Sequence, residues 1–378
     1  MTSVPFNAEF ARGLNPQGGV VSRPGEPAIR TTGFVVNPDI KTQYTESWFL
    51  NAQRELTKGW VAEIGYVGTT GINLERIDDV NRLTGDLLDG REDRINKNFG
   101  VLLFVTNGVT SSFQAMTAEL RRSFASGVSF QTNYRWSKWL DTSSDTSTGQ
   151  FQDNSEPGKG AAEISCLRCE RARSLFDIPH RFSASVLWAP QFFRGDANLI
   201  SKFLDDWQLS TIVTAQSGRP FSVWNGAPAT IRRDAGGQII GFDGGDYNLD
   251  GGGGAVGGGF YDRPNAPSAG VVDSSFSRAD YLNGLFDASI FAKPAPGQNG
   301  TLGRNTYRGP RYVTFDFALS RSFTVKAEKQ LQLRLEAFNA FNNVNLFLPN
   351  ADLSVSNFGK STQAFEPRTL QGGVRFIF

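Results

Sequence analysis

Three short stretches of this sequence carry residue types that could do chemistry, and the first is a cysteine pair. Cys166 and Cys169 are spaced C-x-x-C in ISCLRC, and they are the only cysteines of the chain. This spacing suits a redox-active dithiol, half of a zinc site or a local disulfide. A four-ligand zinc site needs more ligands than these cysteines and the single histidine, His180, can supply. We therefore expect a disulfide, with a reactive dithiol as the alternative.

The second stretch, DYNLDG at 246–251, carries oxygen-bearing side chains at alternate positions. Asp246, Asn248 and Asp250, followed by a glycine, match the first half of a D-x-[DN]-x-[DN]-G calcium loop. Position twelve of such a loop should be a bidentate glutamate, and here it is Gly257. The sequence thus offers calcium as its one cofactor candidate. The alternative is a flexible polar loop, in which Asp and Asn favour turns.

The third feature is His180, which follows Pro179 at the start of a predicted strand. No serine lies in a G-x-S-x-G turn, and no Ser-His-Asp spacing is present. We predict that the protein is not an enzyme and that it uses no catalytic residue. The net charge of +1 also gives no basic excess, so no nucleic-acid partner is expected.

The elements that must position these residues are strands. Nine segments alternate between apolar and polar residues, the period of a β-strand. They lie at 46–56, 60–67, 113–124, 128–140, 181–189, 207–216, 312–323, 331–341 and 369–378. Strands of soluble sheets usually have about five or six residues, whereas a strand that crosses a membrane needs about nine to eleven. We predict an all-β fold, an antiparallel transmembrane β-barrel to which this chain contributes about nine strands.

Charged residues in these segments fall opposite the apolar positions. A barrel with a polar lumen and a lipid-facing exterior would show this separation. The predicted lumen-facing charges are Glu63, Glu119, Arg121, Arg135, Asp316, Arg334, Glu336 and Arg375. Tryptophans gather near the ends of the segments, where the interfacial girdles of a barrel would have them. A soluble antiparallel β-sandwich also alternates, and it is the alternative fold.

The connections between the segments alternate between short and long. The long ones are predicted at about 70–111, 141–179, 217–311 and 342–368, as in barrels with short periplasmic turns and long extracellular loops. Counting back from a periplasmic carboxy terminus puts residues 1–43 outside the cell. We therefore expect 1–43 to be the remnant of an extracellular loop. Residues 44–378 are then the carboxy-terminal barrel part of a longer protein.

The longest connection, 217–311, is the natural position for ligand contacts, because binding residues concentrate on loops held by a rigid scaffold. Its aromatic residues would either stack on a ligand or pack the loop onto the barrel mouth. They are Trp224, Phe242, Tyr247, Phe260 and Tyr261.

Several stretches in combination resemble the barrel domain of Oar-like TonB-dependent outer-membrane receptors. They are SLFDIPHRFSASVLWAP (174–190), WQLSTIVTAQSGRPFSV (207–223), GRNTYRGPRYVTFDFALSRSF (303–323) and LQLRLEAFNAFNNVNLF (331–347). The last strand also resembles the β-signal read by the barrel-assembly machinery, through Gln371, Gly373, Phe376 and Phe378.

This resemblance implies a protein of the Gram-negative outer membrane, with a barrel of about 22 strands closed by an amino-terminal plug. The implied partners are outer-membrane lipid, the barrel-assembly machinery, an unidentified extracellular ligand, and the TonB complex through a region outside this chain. The implied function is ligand capture by the loops and energised uptake in the full-length protein. A passive structural or adhesive barrel is the alternative.

Overall fold

The architecture is a single large β-sheet with folded loops at one end. The computed structural model describes residues 31–81, 85, 88, 94–96, 99–144, 166–190, 206–227, 230–250, 262–268, 276–326 and 329–378. Within these residues, eleven strands form the sheet. They are β1 (Thr31–Val36), β2 (Tyr44–Thr57), β3 (Trp60–Asp79), β4 (Phe99–Ala125), β5 (Val128–Asp141), β6 (Ala172–Arg173), β7 (His180–Trp188), β8 (Trp207–Gln216), β13 (Tyr312–Lys326), β14 (Lys329–Phe338) and β15 (Thr369–Ile377).

Nine of these strands lie side by side in the order in which they follow along the chain, leaving out β1 and β6. Each is antiparallel to its neighbours. The nine match the nine segments predicted from alternation, so the all-β antiparallel prediction is confirmed. A β-sandwich would divide its strands between two packed sheets. Because these nine form one continuous sheet, the sandwich alternative is wrong.

The register gives the sheet a polar face and an apolar face. One row across the strands is polar: Gln53, Glu63, Glu119, Asn133, Ser183, Thr214 and Thr314. The adjacent row is mostly apolar: Ala52, Ile64, Ala118, Tyr134, Phe182, Ala215 and Val313. Because successive side chains of a strand point to opposite faces, the two rows lie on opposite sides of the sheet. We call these sides the polar face and the apolar face.

The apolar face exposes large side chains, among them Ile64 (60%) and Val374 (73%). Such an extended exposed apolar surface is unfavourable in water and suits contact with lipid. Near the short turns, aromatic rings of the apolar face contact other rings and arginine side chains. The Trp60 ring lies 5.1 Å from that of Phe130, and the Arg321 guanidinium lies 5.5 Å from the centre of the Trp207 ring. This pairing is typical of side chains at a membrane interface.

One connection differs from the sequence prediction. Of residues 70–111, predicted as a long connection, both ends continue the ladder, because β3 runs to Asp79 and β4 begins at Phe99. The added parts of β3 and β4 contain β-branched and aromatic residues, which favour strands. These parts pair with each other beyond the ends of β2 and β5. Within residues 1–43, β1 pairs in parallel with β4. That these residues are the remnant of an extracellular loop stays a prediction. Residues 1–30 lie outside the described part.

The connections that follow β5, β8 and β14 leave the same end of the sheet, which we call the loop end. They contain four short strands, β9 (Pro220–Phe221), β10 (Thr230–Arg233), β11 (Ile239–Asp243) and β12 (Tyr307–Arg308). They also contain a helix, α1 (Arg278–Asn283), with a capping box between Ser277 and Asp280. No helix among the described residues is long and apolar enough to span a membrane.

Candidate functional site

The described residues of the connections 142–179, 217–311 and 339–368 pack together at the loop end, and we call them the loop assembly. One part of it that contacts several connections is the GRNTYRGP segment, residues 303–310. Arg304 of this segment forms an ion pair with Asp141, the last residue of β5, and neither side chain is more than 4% exposed. Arg304 also donates to Ser144 Oγ (2.8 Å) and to the Glu170 carbonyl oxygen (3.3 Å). One arginine therefore connects the 217–311 connection to the 142–179 connection.

A second buried pair joins the same two connections. Arg263 donates from one guanidinium nitrogen to both Glu170 carboxylate oxygens, at 2.7 and 2.8 Å, and its Nε–H donates to the Leu302 carbonyl oxygen. Glu170 ends a short 3-10 helix, Leu167–Glu170. A disulfide between Cys166 and Cys169 closes this helix. The cysteine pair therefore lies next to the carboxylate that holds Arg263.

A third pair lies just before β7. Arg308 forms an ion pair with Asp177 and donates to the Gly218 carbonyl oxygen at 3.2 Å. The other Asp177 carboxylate oxygen accepts the Trp139 backbone N–H at 2.7 Å. Gly218 must lack a side chain, because a Cβ there would stand 1.8 Å from the Gly309 carbonyl oxygen. The end of β5, the segment before β7 and the segment after β8 are thus joined.

An aromatic core fills the space between the long connections. Tyr307, 1% exposed, packs with its ring 4.6 Å from that of Phe286 and 5.9 Å from that of Phe221. Phe358, from the connection before β15, joins the same buried cluster. Burial of this apolar surface stabilises the loop assembly by roughly 25 cal/mol for each Å² removed from water. The loops are therefore a folded unit with a core of their own.

The predicted calcium residues lie in a buried acidic turn of the loop assembly. The Asp250 backbone N–H donates to Asp246 Oδ1 (3.2 Å) and to Asn248 Oδ1 (3.1 Å), as in a turn closed by Asp and Asn side chains. Asp262, which the sequence analysis did not single out, accepts the Asn248 backbone N–H at 2.9 Å. Burial, helped by the charge of Asp250, raises the pKa of Asp262 to about 8.

Among the described residues, no group of three or more His, Cys, Asp or Glu side chains is arranged to hold a metal ion. Calcium binding by Asp246, Asn248 and Asp250 stays a prediction of the sequence motif. Of the aromatic residues named for this connection, Tyr247 is buried, and its hydroxyl accepts from Asn225 at 2.8 Å. Trp224 pairs through its backbone with Asp352. Phe260, Tyr261 and the side chain of Phe242 lie outside the described part.

The eight charged residues predicted for the lumen all fall on the polar face. Glu63 lies opposite Glu119, Arg121 is in the same row as Asp316, and Arg375 lies opposite Gln332. Arg334 and Glu336 form an ion pair two residues apart on β14. Arg135 lies directly opposite Arg181, which the sequence analysis left out. That this face lines a lumen stays a prediction.

The four predicted assembly-signal residues divide between the two faces of β15. Gln371 and Gly373 lie on the polar face, opposite Glu336 and Arg334, and the Gln371 amide donates to the Glu336 carboxylate. Phe376 lies on the apolar face opposite Leu331. The ring of Phe378 stacks 6.0 Å from that of Phe376 and is 90% exposed. That the barrel-assembly machinery recognises these four residues stays a prediction.

His180 is on the apolar face, where its Nδ1 lies 2.7 Å from the Tyr134 hydroxyl oxygen. Sequence reasoning missed the residues that join the loops, namely Asp141, Glu170, Asp177, Arg263, Arg304 and Arg308. A usable signal was present in the GRNTYRGP segment, where two arginines flank a tyrosine. Its partners could not be inferred, because they are more than 130 residues away in the sequence.

Comparison with known proteins adds a family match. A family model described as an outer membrane beta barrel domain matches residues 2–371. No curated protein matches the sequence. Similar solved structures include the outer membrane transporter YddB from Escherichia coli, at 10% identity and a TM-score of 0.46, covering 92% of this chain and 34% of that one.

Two further similar structures are complexes. The FpvAI–pyocin S2 complex has 10% identity and a TM-score of 0.40, and the match covers 89% of this chain and 26% of that one. P. aeruginosa FpvA bound to heterologous pyoverdines has 9% identity and a TM-score of 0.37, with 89% and 27% covered. This chain therefore spans about a third or less of the length of each of these structures.

Proposed function

Because the chain belongs to the outer membrane β-barrel domain family, we propose that it is the barrel part of a ligand-binding receptor of the outer membrane. In this proposal the apolar face contacts lipid and the polar face lines the lumen. The loop assembly faces the outside of the cell and captures the ligand. Uptake is energised by the TonB complex, which acts through a plug and a contact segment outside this chain. No residue of the chain has a catalytic role.

The observation that supports this proposal is the ordered loop assembly. Three arginine–carboxylate pairs, two of them buried, and an aromatic core connect loops that leave the sheet after β5, β8 and β14. Loops that are already ordered lose less conformational entropy when a ligand binds, so they bind with higher affinity. A barrel with a purely structural role has no evident need for this order.

The polar face supports the proposal in a second way. Glu63 lies directly opposite Glu119, and among the described residues neither carboxylate has a cation within 4.0 Å. Two like charges at neighbouring positions of a ladder are destabilising unless something compensates them. An occupant of the lumen that carries cationic groups, such as a plug, would supply this compensation.

The first test is to read the coding sequence upstream of Met1. The proposal expects a signal peptide, a plug domain and a TonB contact segment there. The second test is a cross-link in cells between a cysteine in that segment of the full-length protein and the periplasmic domain of TonB. A variant with proline in the contact segment is the control, because proline removes the backbone donor needed for strand addition.

The proposal expects a cross-link in the native protein and a large loss of it in the proline variant. A complete coding sequence without a plug or contact segment would contradict the receptor proposal. It would favour the passive structural or adhesive barrel instead. An equally strong cross-link in both proteins would show that the contact is nonspecific, and it would also count against energised uptake.

A further inference from the structure

A group of arginines and aromatic rings lies where the polar face of β4, β5 and β7 meets the loop assembly. We call it the arginine–aromatic patch. It consists of Phe113, Arg135, Trp139 and Arg181 on the polar face, with Phe176 and Arg219 from the connections beside them. We propose that this patch is a binding site for a carboxylate-bearing ligand. The proposal deepens the receptor function proposed above, because it names the ligand chemistry, and it rests on that function for the ligand's passage.

The charge of the patch is the first reason. Arg135 and Arg181 are directly opposite each other on β5 and β7, and both are on the polar face. Among the described residues, no carboxylate lies within 4.0 Å of either guanidinium. Like charges directly across a ladder repel each other. The position therefore favours an anion that can compensate both.

The hydrogen bonding of Arg135 is the second reason. Its Nε–H is buried and has no hydrogen-bond partner within the described part of the chain. A buried donor without a partner costs roughly 1–3 kcal/mol. A guanidinium presents its donors in a planar fork that matches the two oxygens of a carboxylate. A carboxylate bound between the two arginines would satisfy the orphan donor and reduce the repulsion.

The carboxylates nearest to Arg135 and Arg181 cannot compensate them, because each is bound elsewhere or lies too far away along the strands. Asp177 holds Arg308 and the Trp139 backbone N–H. Glu119 lies opposite Asn133, one polar-face position further from the loop end than Arg135. Neither forms an ion pair with Arg135 or Arg181. The compensating anion must therefore come from outside the described residues.

Aromatic rings surround the charge. The Arg135 guanidinium lies 5.8 Å from the centre of the Phe113 ring, and the Trp139 ring lies 5.2 Å from that of Phe113. Phe176, half exposed, packs 5.6 Å from Trp139 and under Arg219 at 6.0 Å. The Trp139 Nε1–H donates to Ser111 Oγ, which fixes the indole. These rings offer a flat apolar surface beside the arginines, suited to the part of a ligand next to its carboxylate.

The test uses the full-length protein in lipid nanodiscs and ¹⁹F NMR. The probe is 4-(trifluoromethyl)benzoate, which carries one carboxylate on an aromatic ring. The matched neutral compound is 4-(trifluoromethyl)benzamide. We expect the benzoate to bind at least about tenfold more tightly than the benzamide, which corresponds to about 1.4 kcal/mol.

Two sets of variants locate the site. Arg135→Gln combined with Arg181→Gln should weaken benzoate binding at least about tenfold. Arg135→Lys with Arg181→Lys should weaken it less, because the charge remains although the planar fork and its Nε–H donor are lost. Arg121→Gln, on the same face but nearer the short turns, should leave binding unchanged. Arg181→Gln alone is the fallback if the double variant does not fold, since Arg181 is exposed and its loss should still weaken binding about threefold.

Equal binding of benzoate and benzamide, or native affinity in the double glutamine variant, would overturn the proposal. Failure of the native protein to bind benzoate would overturn it as well. None of these three results would affect the receptor function, which is tested by the TonB cross-link.

Discussion

Asp141 and Arg304 are 163 residues apart in the sequence and form an ion pair whose side chains are almost completely buried. Breaking such a pair from one side leaves a buried charge without compensation, at a cost of about 3–5 kcal/mol. Arg304→Met should therefore open the loop assembly locally. The measurement is hydrogen exchange of residues 139–144 and 170–175 in the full-length protein, where protection should fall markedly while that of β8 and β13 is kept.

The control for this variant is Arg232→Met, which removes a pair with Asp243 in the same connection. Both side chains of that pair are more than half exposed. Exposed pairs contribute about 0–1 kcal/mol, so exchange should change little. Equal effects of the two variants would contradict a special role for the buried pair.

The Cys166–Cys169 disulfide should protect the turn that presents Glu170 to Arg263. In the chain-entropy model, a crosslink that closes so short a loop contributes about 2 kcal/mol. Arg168 and Arg171 are exposed in this turn, so trypsin can report on its opening. Reduction with TCEP, or Cys166→Ser with Cys169→Ser, should accelerate cleavage after these arginines several-fold.

The double serine variant is its own control, because TCEP should not change its cleavage rate. A native protein whose cleavage is unaffected by TCEP would show that the disulfide does not hold the turn. Hydrogen exchange at Asp262 and Arg263 should rise together with cleavage, since Arg263 loses its positioned partner.

Asp262 should make the acidic turn sensitive to pH. Burial raises the pKa of this carboxyl from an ordinary value of 3.8 to about 8 in the folded protein. Between about pH 4 and pH 8 the unfolded turn releases the proton while the folded turn keeps it. The free energy of opening should therefore decrease as pH rises through this window and level off above about pH 8.

Hydrogen exchange of residues 245–250, corrected for the intrinsic pH dependence of exchange, measures this opening. Asp262→Asn keeps an oxygen that accepts the Asn248 N–H but does not titrate. Its opening free energy should be nearly constant over the same range. A native protein with a flat profile would rule out the raised pKa.

Two consecutive residues of β7 that lie on opposite faces can test whether the apolar face is the one that contacts lipid. Ala184 lies on the apolar face and Ser185 on the polar face. Ala184→Arg should destabilise the folded protein by about 2–4 kcal/mol, the cost of an arginine in the middle of the lipid-facing surface. Ser185→Arg should cost much less, because a lumen is hydrated. Urea unfolding in lipid vesicles measures both, and a larger loss for Ser185→Arg would reverse the assignment.

Phe378 tests the assembly signal. Its ring is exposed beside that of Phe376 at the end of the apolar face. Deletion of Phe378, or Phe378→Asp, should strongly reduce the heat-modifiable folded band in the outer-membrane fraction of the full-length protein. Phe378→Leu, which stays apolar, should be milder. Normal insertion of the aspartate variant would count against a role of this residue in barrel assembly.

The strands could be predicted from the sequence because alternation is a local property. The residues of one strand are enough to show which side chains share a face. Trp207–Gln216 is an example, since its observed bounds equal the predicted ones. The face of Arg135 was predictable for the same reason, but its position opposite Arg181 was not. Strand register depends on the lengths of turns and on cross-strand packing, which a single segment does not encode.

The loop assembly was not predicted, since its contacts join residues far apart in the sequence. The 217–311 connection reads as glycine-rich and polar, yet it contains Tyr307 and Phe291 at the centre of a buried core. Arg263, Arg304 and Arg308 pair with carboxylates more than 90 residues away, so no local partner reveals their role. The extension of β3 and β4 was also missed, because polar residues such as Asn107 interrupt the alternation.

The GRNTYRGP segment also bears on the redesign of this protein. Its two arginines pair with Asp141 at the end of β5 and with Asp177 of the 142–179 connection. Its tyrosine packs against rings from elsewhere in the 217–311 connection. A graft of this connection onto another barrel would bring Arg263, Arg304 and Arg308 without Glu170, Asp141 and Asp177. Recombination between relatives should therefore succeed only when the end of β5, the 142–179 connection and the 217–311 connection are exchanged together, as one inherited block.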